Sequence, residues 1–337
     1  MYNNHKNEIF TPEKNWQTEL KQAIRSLPEL CNKIRIGIDQ KRVISEVISD
    51  YPVFVTPHFA SKIEKETLSD PLLLQVLPTT EEHKSFHGFI NDPVGDINAI
   101  KVKNIIHKYN DRALINTTNI CSINCRFCFR RNSLRKQEEK LSDFDDALQY
   151  IDKESIKEVI LSGGDPMLLD DSSLLNLINK IENIGSVDTI RIHSRTLSTL
   201  PQRFTDDLLH KLDKINLIKI FVSHINHPNE IDKALGNISQ KLINCDFTIL
   251  NQSVLLKGVN DNSQTLSQLS KKLITHKIIP YYLHTLDKAK GTHGFFISDV
   301  QAKKIWKELH ENLPGYLVPR LAKEISGDAA KTILNTC

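Results

Sequence analysis

The stretch Cys121-Ser122-Ile123-Asn124-Cys125-Arg126-Phe127-Cys128 carries three cysteines in a C-x3-C-x2-C spacing. Just before it lies Arg112-Ala113-Leu114-Ile115-Asn116-Thr117-Thr118, an apolar and β-branched run that reads as a strand. A strand ending in a tight cysteine loop puts ligands at the mouth of a sheet or barrel. Thiolates are the usual ligands of iron–sulfur clusters and of zinc. Structural zinc sites and ordinary ferredoxin clusters take four ligands, and no fourth cysteine is near. Cys121, Cys125 and Cys128 on a four-iron cluster would leave one iron open to a substrate or cofactor. The alternative is three cysteines that merely pack. Cysteine is often buried, but three within eight residues, flanked by Arg126, Arg130 and Arg131, make poor core chemistry.

The chain has 337 residues, 39% of them hydrophobic, enough for a large core and one barrel-sized domain with an extension. The net charge of +3 points to no polyanionic partner, so no nucleic acid is expected. No apolar run reaches the roughly eighteen residues of a membrane span, and the polar start, Met1-Tyr2-Asn3-Asn4-His5-Lys6, has no apolar signal core. Cys31, Cys245 and Cys337 are scattered and suggest no disulfide framework. A reducing cytoplasm is the expected compartment, and an oxygen-sensitive cluster would need one.

Residues 1–100 read as a helical and loop-rich extension: Trp16 to Leu27 has helical apolar spacing, and Ile44, Val47 and Ile48 continue it. Pro52, Pro57, Pro71, Pro78 and Pro93 break the segment into pieces. From Arg112 onward the pattern alternates. Strands are expected at 113–118, 158–161, 189–193, 217–222, 248–255 and 280–286, and helices at 143–152, 173–184, 206–212, 229–235, 265–273 and 300–313. Six β/α units imply an α/β fold, an open (β/α)6 partial TIM barrel over residues 101–314, with functional groups at the carboxyl ends of its strands. Residues 315–337 read as a short C-terminal tail. After the second strand comes Ser162-Gly163-Gly164-Asp165-Pro166. Two glycines there allow close backbone approach of a ligand, and a carboxylate can pair with an ammonium. An ordinary strand-to-helix turn would suit the same residues.

With these residues in view, the chain resembles the radical S-adenosylmethionine (SAM) lysine 2,3-aminomutase family. The resemblance runs from about residue 50 to the C-terminus, through His107–Arg112, the cysteine loop, Leu161–Met167, Arg191–Arg195, His224–Glu230, Asn251–Asp261 and Pro280–Tyr282. Tyr281–Lys288 and Gly315–Ile325 are most similar to the subfamily that supplies (R)-β-lysine to elongation factor P.

The resemblance implies a radical SAM partial barrel, a 4Fe-4S cluster on the three cysteines, and SAM held at its methionine amino group by Gly163, Gly164 and Asp165. It implies pyridoxal 5′-phosphate (PLP) on Lys331, in Ser326-Gly327-Asp328-Ala329-Ala330-Lys331-Thr332, a stretch less glycine-rich than the family's. Arg112 corresponds to a PLP-phosphate ligand. Gln252 either reaches the cofactor or bonds the backbone at a strand end. Arg130 matches the arginine for the substrate α-carboxylate, and Asp287 and Glu324 match the acids for the ε-ammonium of L-lysine. Glu324 stands where the family has an aspartate. His193, His224, His227 and His284 fall at strand ends and receive no catalytic role.

The implied activity is an isomerase: L-lysine to β-lysine by a radical 2,3-amino shift. It calls for an external electron donor and links functionally to an elongation factor P lysyl ligase. The chain stops six residues past Lys331, where free-standing lysine enzymes continue into a segment for oligomer contacts and zinc, so no zinc is expected. Two readings compete. One is another enzyme of the same family, a free-lysine mutase of metabolism or a glutamate mutase, of which the glutamate enzyme would not want Asp287 and Glu324 at the distal end of its substrate. An electron carrier or metal-binding scaffold would normally give all four irons a protein ligand and has no use for a PLP lysine.

Overall fold

Ten strands form one sheet in which every strand lies beside its neighbour in sequence. They are β1 (Ile100–Val102), β2 (Ile105–Tyr109), β3 (Arg112–Thr118), β4 (Glu158–Gly163), β5 (Thr189–Ser194), β6 (Ile218–His224), β7 (Phe247–Val254), β8 (Ile279–His284), β9 (Arg320–Lys323) and β10 (Thr332–Ile333). The computed structural model describes residues 15–37, 51–132 and 143–334. Strands β3 to β9 are parallel, while β1, β2 and β10 pair antiparallel at the two margins. Helices Asp145–Lys153, Asp171–Glu182, Asp206–Asp213, Lys233–Asn244 and Ser263–Thr275 connect successive parallel strands, and Asp299–Asn312 follows β8. This is the partial-barrel arrangement that the alternating pattern implies.

Side-chain parity gives the sheet two different faces. Ala113, Ile115, Val159, Leu161, Ile190, Ile192, Phe221 and Ile249 pack with the helices in the main core. The alternate positions carry Arg112, Asn116, Glu158, Ser162, Arg191, His193, Gln252 and His284. A slip of one residue would drive these polar groups into the helix layer, so register is strongly specified. The polar face is the concave inside of the partial barrel. Low on it, Arg191 Nη2 reaches Glu158 Oε2 at 2.7 Å.

The helices start where side-chain caps dictate. Asp170, Thr205, Asn262 and Ser298 accept from the backbone N–H groups of Ser173, Leu208, Thr265 and Gln301. The helix expected at 229–235 is instead a 3-10 turn, Pro228–Glu230, followed by a helix from Lys233. Asp232 caps the later start by accepting from Leu235 N–H. Residues 15–37 and 51–100 are less helical than their spacing suggests. Their α-helices are Trp16–Lys21, Leu27–Lys33, Pro57–Ala60 and Pro71–Leu74, and the two short ones begin at proline behind the caps Thr56 and Asp70. Ile44, Val47 and Ile48 lie outside the described residues. The C-terminal stretch is not a bare tail, because β9 extends the parallel sheet and β10 folds back on it.

The N-terminal extension is the seat of the cysteine loop. Ile123 is buried with Val55, Phe59, Leu72 and Leu73. Asn124 N–H donates to Phe54 O at 2.8 Å, and Arg126 N–H donates to Gln75 O at 2.9 Å. Arg126, fully buried, donates from Nε to Glu82 Oε1 at 2.8 Å and from Nη1 to Tyr51 O at 2.8 Å. Arg131 Nη2 meets Glu82 Oε2 at 2.5 Å, so one carboxylate holds two guanidiniums that flank the last cysteine.

Gly163 and Gly164 meet a close approach from within the chain. The body against them is the chain's own entry into the cysteine loop. Gly163 has φ +108°, and a Cβ there would lie 1.8 Å from Asn116 Oδ1. A Cβ on Gly164 would lie 2.3 Å from Ile120 O, because Gly164 N–H donates to Thr118 O and Asp165 N–H to Ile120 O. Gly164→Ala therefore forces backbone apart and should cost roughly 1–3 kcal/mol in chemical denaturation. Gly185→Ala is the control, since a Cβ there meets nothing within 4 Å.

Candidate active site

Cys121, Cys125 and Cys128 are half-buried on the loop after β3. Arg195, at the end of β5, donates from Nη1 to Cys125 Sγ at 2.6 Å. Its Nη2 is fixed by Gln75 Oε1 at 2.5 Å and Glu230 Oε2 at 3.2 Å. Glu230 is fully buried and also accepts from the backbone of Asn226 and His227 and from Ser198 Oγ. Burial would raise its pKa, but Arg195 and these donors outweigh that and hold it down. A guanidinium against sulfur favours the thiolate, the form that binds metal. Among the described residues no three His, Cys, Asp or Glu side chains converge as ligands of a single ion do. Thiolates on a four-iron cluster each take a different iron and need not converge, so this donor set fits a cluster.

Asp165 does not look into the site. Its carboxylate is buried and accepts from Met167 N–H at 3.1 Å, Arg195 N–H at 2.9 Å and Ser194 Oγ at 2.8 Å. Burial holds its pKa above the usual carboxylate range. These bonds make Asp165 a clamp between the ends of β4 and β5. That clamp aims Arg195 at Cys125.

On the polar face, the other expected residues meet in a chain of charges. Lys331 Nζ pairs with Glu324 Oε2. Glu324 Oε1 is 2.8 Å from Lys108 Nζ, which is 2.6 Å from Asp96 Oδ1. Asp96 Oδ2 accepts from Arg130 Nε at 2.9 Å, and Arg130 Nη1 reaches Ser162 Oγ at 3.2 Å. The chain joins the C-terminal hairpin to the residue two places past Cys128. Burial opposes ionisation of both acids. Lys331 and Lys108 nevertheless bring Glu324 down to about 2, and Arg130 and Lys108 lower Asp96. Asp287 is the exception: burial, then repulsion from Glu324, pushes it up to about 7.

Arg112 lies over the ring of Tyr109, 4.7 Å from its centroid. Tyr109 in turn hydrogen-bonds Glu324, and burial first, then that acid, raises its phenol pKa. Gln252 Nε2 faces His193 Nδ1 at 3.5 Å, so its partner is another side chain rather than backbone. His193, His224 and His284 are all pushed down by burial, His224 to about 4 and His284 to about 3, so these imidazoles are neutral at pH 7. His193 Nε2, His224 Nε2 and Asn116 Oδ1 are buried without a hydrogen-bond partner. Orphaned polar atoms beside Lys108, Arg112, Arg130 and Lys331 are what a polar, anionic cofactor with a carbonyl carbon would meet. His227 is structural, capping the turn at Asn229 N–H. Sequence reasoning missed Lys108, Asp96 and Arg195. Lys108 and Arg195 lie inside stretches that carry the resemblance, while Asp96, in a loop between short elements, carried no signal.

The Radical SAM superfamily pattern matches residues 115–263, the span from β3 through β7. An L-lysine 2,3-aminomutase of Haemophilus influenzae is 43% identical, covering 96% of this chain and 97% of that protein. One of Escherichia coli is 37% identical, covering 97% and 96%. A glutamate 2,3-aminomutase of Clostridioides difficile is 31% identical over 95% of this chain and 76% of its own length. The matches to the lysine proteins cover nearly the whole length of both partners, and the chain belongs to the L-lysine 2,3-aminomutase family of radical SAM enzymes.

Proposed function

We propose that this enzyme isomerises L-lysine to β-lysine by a radical 2,3-amino shift, using SAM, a 4Fe-4S cluster and PLP, and that the product is (R)-β-lysine for elongation factor P. The observation that carries the reading is the chain of charges from Arg130 to Lys331, with Asp287 beside it. It supplies a guanidinium for an α-carboxylate, an amine for a carbonyl cofactor and an acid for a distal ammonium within one connected group of charges. A glutamate substrate would bring its second carboxylate toward Asp287 and Glu324, which disfavours that reading. The elongation factor P role rests on the resemblance of Tyr281–Lys288 and Gly315–Ile325, and it implies a lysyl ligase that consumes the product. The chemistry calls for an external electron donor and a reducing cytoplasm.

In this reading Cys121, Cys125 and Cys128 hold the cluster, and Arg195 steadies the Cys125 sulfur. Bound together, the cofactors supply the radical, the electron for SAM cleavage and the conjugated system that carries the migrating nitrogen. The chain's own work is positioning and exclusion. Arg130, fixed on one edge by Asp96, offers its remaining N–H groups to the α-carboxylate. Neutral His193, His224 and His284 line the cavity without adding charge. The cation at Arg112 suits a phosphate. The N-terminal extension packs against the cysteine loop at Ile123 and Cys125.

Anaerobic incubation with reductant, SAM, PLP and L-lysine should yield β-lysine of R configuration and none from L-glutamate. β-Glutamate as the main product would reverse the reading. The anaerobically purified protein should hold about four irons per chain and Cys125→Ala should lose them, by iron assay and absorbance. Because Asp287 titrates near 7, affinity for a distal ammonium should weaken as pH falls below 7, toward tenfold per unit, and level off above it. Calorimetry of L-lysine against L-norleucine isolates that arm, and Asp287→Asn should flatten the profile and cost about 1.5–3 kcal/mol at pH 8. A pH-independent preference for lysine would move the ammonium site elsewhere.

A further inference from the structure

Glu324 was expected to receive the substrate's distal ammonium, yet both of its oxygens are already engaged by amines. Oε2 carries Lys331 and Oε1 carries Lys108. The two lysines are not equivalent. Lys108 Nζ has three acceptors, Val94 O at 2.8 Å, Asp96 Oδ1 at 2.6 Å and Glu324 Oε1 at 2.8 Å, which match its three N–H donors. Lys331 is bonded to Glu324, and its side chain is 27% exposed, against 15% for Lys108. Lys331 is thus the partner that can leave.

The backbone dictates the pairing. In the β9–β10 hairpin, Thr332 lies opposite Lys323 and Ile333 opposite Ala322. The same register one step further sets Lys331 opposite Glu324, so the two side chains are direct cross-strand neighbours. The loop before β1 packs on this hairpin: a Cβ on Gly95 would lie 2.1 Å from Ser326 Oγ. Lys331 therefore rests on the acid by construction.

Resting on the proposed lysine reading, we infer that Glu324 is a positioning residue occupied by the protein's own Lys331, and that a substrate's distal ammonium gains this carboxylate only after the Lys331 amine has been drawn off by the cofactor. Lys331 then acts as an internal stand-in for the substrate. An ammonium arriving at the cofactor-free protein would meet Lys331 as a like charge in the seat it needs. Once Lys331 has turned away, Glu324 and Asp287 face the cavity together. Substrate binding becomes conditional on cofactor loading, and the cofactor-free protein does not sequester lysine.

The probe is 6-aminohexanoate, which keeps the carboxylate and distal ammonium of lysine but has no α-amino group with which to react with a cofactor. Calorimetry should find it binding cofactor-free wild type at least tenfold more weakly than cofactor-free Lys331→Met or PLP-loaded wild type. Hexanoate, without the ammonium, should show no such difference. Adding Glu324→Gln to Lys331→Met should remove the gain. Equal affinity for cofactor-free wild type and both comparison proteins would overturn the inference. So would a gain shared by hexanoate, which would mean that Lys331→Met only made room. The PLP-loaded arm needs no variant and decides the matter even if Lys331→Met misfolds. If equal affinities accompany conversion of lysine to β-lysine, this inference alone fails; if no β-lysine forms under reducing conditions, the proposed function fails.

Discussion

The fold depends on a buried carboxylate with two guanidiniums. Glu82 binds Arg126 and Arg131, whose side chains are 0% and 6% exposed. Both cations also lie over the ring of Tyr51, 4.9 and 4.5 Å from its centroid. Buried ion pairs are weak devices for net stability, because desolvation consumes most of the attraction, but they fix geometry well. Here they fix the geometry of a loop with few apolar side chains of its own. Three half-buried cysteines cannot hold a loop by packing. The loop is held instead by charges on its own arginines, with the matching acid supplied by the N-terminal extension. Removal of Glu82 would leave two guanidiniums uncompensated in the interior, so the cysteine loop depends on the extension.

A third arginine works from the end of β5. Arg195 leaves β5 with its backbone N–H on Asp165 and its guanidinium divided among Cys125, Gln75 and Glu230. Asp165 and Glu230 are both buried and both face inward, so the acids nearest the cysteine loop aim a cation and are not open to a ligand. The partial barrel thereby separates two kinds of charge. Those behind the loop are saturated and rigid. Those on the concave face form a chain that ends in Lys331, with Asp287 beside it.

Much of this was legible in the residues. The cysteine spacing, the six alternating units and the glycine turn were readable because each is local: a motif of eight residues, a period of two against a period of 3.6, a pair of glycines at a strand end. The edge strands were not. β1, β9 and β10 have three, four and two residues, too short for alternation to show, and they exist because the sheet beside them offers unpaired backbone. The glycines were marked as a point of close approach, and the chain's own Ile120 packs against Gly164, a contact that no local pattern shows. Asp165 was assigned by its place in a motif, and only the third dimension shows Ser194 and Arg195 waiting for it. Lys108 and Asp96 were missed because their roles arise 216 residues away at Glu324 and 34 residues away at Arg130.

The glutamate at position 324 follows from the same geometry. An acid opposite Lys331 in the hairpin must also reach Lys108 on β2, and it does so by giving one oxygen to each. The extra methylene of glutamate over aspartate supplies reach, and the two ammoniums bring the carboxyl down to about 2, so it stays charged throughout the physiological range. Counting the connected groups, Lys108, Arg130 and Lys331 stand against Asp96 and Glu324, an excess of one positive charge while Asp287 is protonated. Such a site favours an anion first. An arriving phosphate would offset the excess, and withdrawal of the Lys331 charge would leave Glu324 underpaired beside Asp287. Two carboxyls in that position repel each other, which is part of why Asp287 titrates near 7, and the cation that best relieves both is an ammonium at the far end of the substrate. In the proposed reading, a preference for a diamino acid would rest on an acid that is always ionised and a neighbour that becomes so when the ammonium arrives.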